Sequence, residues 1–228
     1  ARGVALQLNG AVQNFVTNFM TAINPQITKS YASEDLQHTF SLVRKGARFS
    51  YYLLLVLALP VLFNMESLMG IWLKEVPEGA ASFASLFLIF AMSESLSMPL
   101  ITAINATGNI RNTQIIVGGI QLLNIPMSYI FLKAGYPPQI TVVVAIVLSQ
   151  ICFFARLFLL SGLMGFPVRD FLSRVYLNVL VVTSVAVAVS DIVDGYIPEG
   201  LTGTLISFVA TFMFAVMSVA FIGCRKQE

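Results

Sequence analysis

Long apolar runs separated by short polar breaks dominate this chain, and the runs show no alternation of period two. Seven can be separated, at roughly 4–28, 47–73, 81–106, 112–132, 139–164, 172–192 and 202–223. Each is long enough to cross about 30 Å of hydrocarbon as a helix rising about 1.5 Å per residue. Lipid offers the backbone no hydrogen-bond partner, so a spanning segment is a helix or a strand of a closed barrel. Barrel strands are short and alternate. Here the stretches Thr141 to Ser149 and Leu177 to Val189 are continuous. The pattern predicts an all-α, polytopic transmembrane bundle of about seven spans. Gly135-Tyr136-Pro137-Pro138, Gly165-Phe166-Pro167 and Pro198-Glu199-Gly200 mark turns between spans. Pro25, Pro60, Pro99 and Pro126 fall inside or near the ends of spans, where proline kinks a helix and frees a carbonyl.

Composition removes whole classes of function. Hydrophobic residues make up 57% of the 228 residues and charged residues 11%, against about 25% charged in a soluble domain. A net charge of +2 with no basic stripe excludes nucleic acid as a partner. His38 is the only histidine, and Cys152 and Cys224 have no partners at metal or disulfide spacing. No metal site, histidine triad or cofactor is expected. A P-loop and a Gly-rich dinucleotide turn are both missing, so no enzyme signature appears. Asn105-Ala106-Thr107 matches a glycosylation sequon but sits at a helix end on the expected cytoplasmic side.

Orientation follows from Lys and Arg in alternate loops. One side gathers nine: Lys29, Arg44, Lys45, Arg48, Arg111, Arg169, Arg174, Arg225 and Lys226. The other holds three, Arg2, Lys74 and Lys133, with the acids Glu75, Glu78, Asp191, Asp194 and Glu199. The richer side is expected to be cytoplasmic, which puts the C-terminus inside and the N-terminus outside. The chain opens with Ala1-Arg2-Gly3 rather than Met and has no signal-peptide pattern. Together with an N-out start, this leads us to expect the C-terminal half of a larger protein. Within it, five spans would occupy 1–164 and two additional spans 165–228.

A few polar side chains break the apolar runs. The first span carries Gln7, Asn14, Asn18 and Thr21 at steps of seven, four and three, which places them on one helical face. Lipid cannot satisfy amides, so this face meets other helices or a water-filled cavity. Amides and hydroxyls both donate and accept, as sugar hydroxyls require. Glu94 lies midway along the third span beside Ser93, Ser95 and Ser97. A charge at the bilayer centre costs about 2.5–3.5 kcal/mol on insertion scales and is usually paired and functional. Cation coupling, substrate contact and a structural ion pair all fit it. Arg156 in the fifth span suits a pyrophosphate contact, since its fork matches phosphate oxygens, or a snorkelling anchor. Arg44, Lys45 and Arg48 form a basic cluster before the second span, fit for anionic lipid or a phosphate-bearing headgroup. Glu66, beside Asn64 at the outer end of that span, is a weaker candidate, and Trp72 reads as an interface anchor.

Ala1-Arg2-Gly3-Val4-Ala5 leading to Asn18 through Ala32, with Ile71-Trp72-Leu73, Val76-Pro77, Pro99-Leu100 and Ala106 through Arg111, resembles bacterial polysaccharide and O-antigen flippases. These belong to the multidrug/oligosaccharidyl-lipid/polysaccharide exporter superfamily. The resemblance covers the first half of the chain; the last two spans match in hydropathy alone. It implies a two-lobed protein of 14 helices, of which this chain resembles helices 8 to 14. It also implies alternating access for a lipid-linked oligosaccharide on an undecaprenyl pyrophosphate carrier. The expected setting is then a bacterial inner membrane, with membrane lipids and the missing N-terminal lobe as partners. Gln7, Asn14, Asn18, Thr21, Glu94 and Arg156 would line the cavity, and H+ or Na+ would be the coupling ion. A cation-coupled drug exporter of the same superfamily would show more intramembrane acid and aromatic cage residues. A membrane enzyme of polysaccharide assembly would need a long outer loop with clustered polar residues. A structural scaffold would leave Glu94 unexplained.

Overall fold

The computed structural model describes residues 2–73, 76–198 and 200–223, without the side chains of 2–9, 11–13, 15, 16 and 201. Every regular element among the described residues is helical. In chain order these are α1 (Arg2–Ala32), α2 (Leu36–Phe63), α3 (Met65–Trp72), α4 (Ala80–Ser95), α5 (Met98–Ala106), α6 (Arg111–Leu122), α7 (Asn124–Lys133) and α8 (Ile140–Met164). Then follow α9 (Val168–Phe171), a π turn (Leu172–Tyr176), α10 (Leu177–Asp194), α11 (Leu201–Ser218) and a second π turn (Val219–Gly223).

Among the described residues six stretches are long and apolar enough to cross a membrane: Leu36–Phe63, Ala80–Ala106, Arg111–Lys133, Ile140–Met164, Val168–Asp194 and Thr202–Gly223. At 31 residues α1 is long enough as well, but its amides keep it less apolar. The chain is thus a multi-pass membrane protein, an all-α bundle of about seven spans.

Three expected single helices are broken, each close to a proline. Pro60 bends the end of α2, and Asn64 closes the bend. Its backbone N–H and its Nδ2 both donate to the Pro60 carbonyl, at 3.2 and 3.0 Å. The third span stops at Ser95 and restarts at Met98, because Pro99 has no N–H for the Ser95 carbonyl and its ring crowds that carbonyl. Ser95 Oγ turns back onto the Met92 carbonyl at 2.7 Å, and Ser97 N–H onto the Glu94 carbonyl at 2.9 Å. Pro126 interrupts the fourth span in the same way at Leu123. The second span also begins earlier than hydropathy shows. Asp35 accepts from the His38 N–H at 3.0 Å and so starts α2 at Leu36, eleven residues upstream of the apolar run that starts at 47.

The centre of the bundle is α2, whose Val43, Ala47, Leu54, Leu55 and Ala58 are fully buried at helical spacing. α1 packs on α2, α4 and α5; α8 packs on the other side of α4 and α5; α10 and α11 close against α2. Tyr51 Oη meets Thr183 Oγ1 at 3.0 Å, and Tyr52 Oη donates to Asn178 Oδ1, joining α2 to α10. α6 and α7 lean on α8 and leave Ile115, Leu122, Ile125, Tyr129 and Ile130 exposed, as a lipid-facing surface does. The basic residues expected in a loop before the second span lie inside α2, and they do not act as one patch. Arg44 pairs with Asp170, which also holds Arg174 at 2.5 Å, Lys45 is exposed, and Arg48 is buried.

Candidate functional site

Two polar regions stand out, one on the outside of α1 and one inside the bundle. Along α1, Met20, Ile27 and Ser30 are buried, and Ile23 and Asn24 are half-buried toward the core. Asn24 Oδ1 accepts from Thr102 Oγ1 at 2.7 Å, which ties α1 to α5. The opposite face carries Asn14, Thr17, Asn18, Thr21, Pro25 and Thr28, all exposed. Asn14, Asn18 and Thr21 therefore share one face, as their spacing requires, and no described residue covers it. The Gln7 side chain lies outside the described residues. Thr21 Oγ1 donates to the Thr17 carbonyl at 2.8 Å, so that hydroxyl is locally satisfied.

The interior region surrounds Glu94. Because the helix stops at Ser95, Glu94 stands at a helix end in mid-bundle rather than in the middle of a continuous span. Ser149 Oγ, from α8, donates to Glu94 Oε1 at 2.5 Å. Ser149 Oγ also lies 3.0 Å from Ser93 Oγ. Gln150 Nε2 donates to Ser93 Oγ, and Tyr176 Oη donates to Gln150 Oε1 at 3.3 Å. Five side chains from α4, α8 and the first π turn thus form one hydrogen-bonded run. Glu94 is half-buried and Ser93 and Ser149 are buried. Sequence reading found Glu94 and Ser93 but not Ser149, Gln150 or Tyr176. The available signal was the polar pair Ser149-Gln150 inside an otherwise apolar stretch.

Arg156 does not pair with Glu94. It lies two turns past Ser149 on α8, 5% exposed, with its Nη1 unpartnered. Arg48 on α2 is likewise 5% exposed with an unpartnered Nη1. Arg156 is therefore inside the bundle, neither on the polar face of α1 nor snorkelled to a surface.

Sequence reading missed a cavity of about 1120 Å³ between the α2–α3 bend, the start of α4 and the α10–α11 connection. Drug-sized ligand pockets run to about 300–1,000 Å³. Asn64, Glu66, Ser67, Ser82, Ser85, Asp194, Thr204 and Ser207 supply its polar lining, and no basic side chain lines it among the described residues. Asp194 Oδ1 accepts from Ser207 Oγ at 2.5 Å. Among the described residues no three His, Cys, Asp or Glu side chains gather as a metal site would require. Comparison with known proteins finds no matching family model, no matching curated protein and no matching solved structure.

Proposed function

We propose that this chain is part of a transporter that flips a lipid-linked oligosaccharide across a bacterial inner membrane by alternating access. One observation carries the reading. Asn14, Asn18 and Thr21 stand exposed on the face of α1 turned away from the bundle. Hydrocarbon cannot satisfy amides, so that face borders water or a further polar surface within the membrane. Neutral donors and acceptors without charge suit sugar hydroxyls. The lipid tail of the substrate would stay in the bilayer. The loop charges favour a cytoplasmic C-terminus for this working state, and Glu94 is the coupling residue.

The test is Asn14→Leu with Asn18→Leu, made in the cell that depends on this protein for surface polysaccharide. Loss of more than about tenfold in surface polysaccharide, equal to over 1.4 kcal/mol by the usual conversion, is expected while the protein remains in the membrane. Undiminished polysaccharide overturns the reading.

A further inference from the structure

We propose that α6 docks a second copy of this chain within the membrane, along a strip that pairs the amides of Gln114 and Gln121 with their counterparts. The proposal rests on the membrane-spanning fold alone and not on the transport reading.

The span Arg111–Lys133 is the least covered of the six found among the described residues, with 11% of its apolar window buried. Most of its open surface suits lipid, as Ile125, Tyr129 and Ile130 do. One strip differs. Gln114, Gly118 and Gln121 follow one another at steps of four and three, and Ile115, Gly119 and Leu122 follow at the same steps beside them. Both rows therefore lie on one face of α6. Together they line a groove of about 570 Å³.

Several observations at one depth call for a partner. Gln121 lies ten residues beyond Arg111 and twelve before Lys133. Ten residues of helix rise about 15 Å, which is near the middle of about 30 Å of hydrocarbon. Gln121 and Gln114 are exposed, and neither has a hydrogen-bond partner among the described residues. Lipid tails neither donate nor accept, so an amide facing them is left unsatisfied. Beside it Leu122 is 68% exposed. Its carbonyl loses the donor that a continuous helix supplies, because Pro126 has no N–H. One turn back, Gly118 and Gly119 leave α6 without side chains. A Cβ at either would meet nothing within 4 Å, so no close approach inside this chain calls for glycine, although glycine weakens a helix. In membranes small residues mark places where another helix comes close, and amides bond across such contacts.

The strip is complementary to itself. Copies inserted in the same orientation are related by a two-fold axis along the membrane normal, so each residue of a shared helix meets its counterpart at its own depth. A carboxamide carries both a donor and an acceptor. Two facing Gln121 side chains therefore close a pair of N–H···O bonds, and Gln114 does the same two turns nearer Arg111. The second N–H of each Gln121 is left for a freed Leu122 carbonyl. Gly118 and Gly119 let the backbones approach, and no charge stands between Arg111 and Lys133 to repel its counterpart. A lipid chain in the groove would leave the amides and the carbonyl unpaired. The strip is also distinct from the polar face of α1, since α6 packs on α8 and α7, whereas α1 packs on α2, α4 and α5.

Two measurements test the contact. In a chain carrying Cys152→Ala and Cys224→Ala, Gln121→Cys is oxidised in the membrane where the protein is made. A disulfide needs Cβ atoms about 3.5–4.5 Å apart. A covalent dimer of this chain is therefore expected from Gln121→Cys and not from Ile116→Cys, an exposed position of α6 turned off the strip. The second measurement is energy transfer between donor-labelled and acceptor-labelled copies in vesicles, followed as lipid is added. Gln114→Leu with Gln121→Leu is expected to raise the dimer dissociation constant by about tenfold or more, with helix content by circular dichroism unchanged. Failure of Gln121→Cys to form a covalent dimer, or an equal yield from Ile116→Cys, overturns the proposal. Association of the leucine variant as tight as that of the native chain overturns it too, because lipid or another contact then fills the groove. If the leucine variant does not reach the membrane, the comparison of positions 121 and 116 decides by itself.

Discussion

Arg156→Met is expected to make the protein more stable and less active. Arg156 is 5% exposed, its Nη1 has no hydrogen-bond partner, and no described carboxylate pairs with it. Its neighbours along α8 are Cys152, Phe153, Leu157 and Leu160, all buried. A buried charged donor left unsatisfied costs more than the roughly 1–3 kcal/mol of a neutral one. Replacing buried ionic groups by apolar ones of similar volume is often neutral or stabilising by about 1–4 kcal/mol. Methionine is shorter than arginine but close to it in volume, and it adapts to irregular space. We expect a gain of about 2 kcal/mol, from the middle of that range. For a chain of this size each kcal/mol moves Tm by about 2–4 °C, so Tm rises by roughly 4–8 °C. The assay is thermal unfolding in detergent followed by circular dichroism at the helical band. Cys152→Ala, which removes only a sulfur from the same face, is expected to lower Tm and serves as the control. A fall in Tm for Arg156→Met refutes the reasoning, because it means that the guanidinium holds the bundle together. A rise in Tm with export lost marks a group kept for function at the expense of stability.

Two further substitutions test the packing that holds the site. A side chain at Gly46 would meet Pro99 Cγ at 3.3 Å and Ile23 Cγ2 at 3.4 Å. Gly46→Val is therefore expected to lose about 1–3 kcal/mol to overpacking, offset by a few tenths from helix propensity, seen as a lower Tm; native stability would refute the close approach. Asp170→Asn removes the anion shared by Arg44 and Arg174, and is expected to cost about 1 kcal/mol by thermal unfolding at low salt and less at high salt. An unchanged Tm at low salt would show that the bridge contributes nothing.

Hydropathy made the order of the spans legible, because lipid leaves the backbone so few choices. Averaging over a window also hid what decides the site. Ser149 and Gln150 vanish into the apolar average of α8, although they supply two of the four bonds that lead away from Glu94. Pro99 was readable as a kink. That it ends one helix at Ser95 and starts another at Met98 depends on Ser95 and Ser97 taking over nearby carbonyls. The basic run Arg44, Lys45, Arg48 looked like one loop patch because linear spacing says nothing of direction until α2 is known to begin at Leu36. The polar face of α1 was readable from spacing alone. Its exposure was not, since that depends on which neighbours α1 packs against. The cavity between the α2–α3 bend and the α10–α11 connection joins residues more than a hundred positions apart, Asn64 and Ser82 with Asp194 and Ser207, and no local pattern announces it.

The break between α4 and α5 is contacted from both sides, by α8 and by the core-facing side of α1. On one side α8 reaches it through Ser149 and Gln150, beside Glu94. On the other side α1 reaches it through Asn24, which holds Thr102, and through Ile23, which flanks the contact of Gly46 with Pro99. A continuous helix would resist bending here with its full ladder of hydrogen bonds. The proline break has already given up the bond to the Ser95 carbonyl, so a tilt between α4 and α5 costs little backbone bonding. Repacking a rigid interior is costly, so change is channelled to such weak points. On the proposed coupling role, a change of charge at Glu94 would act where movement of α5 is cheap. α1 is fastened to α5, so that movement passes to the helix whose outer face carries Asn14, Asn18 and Thr21.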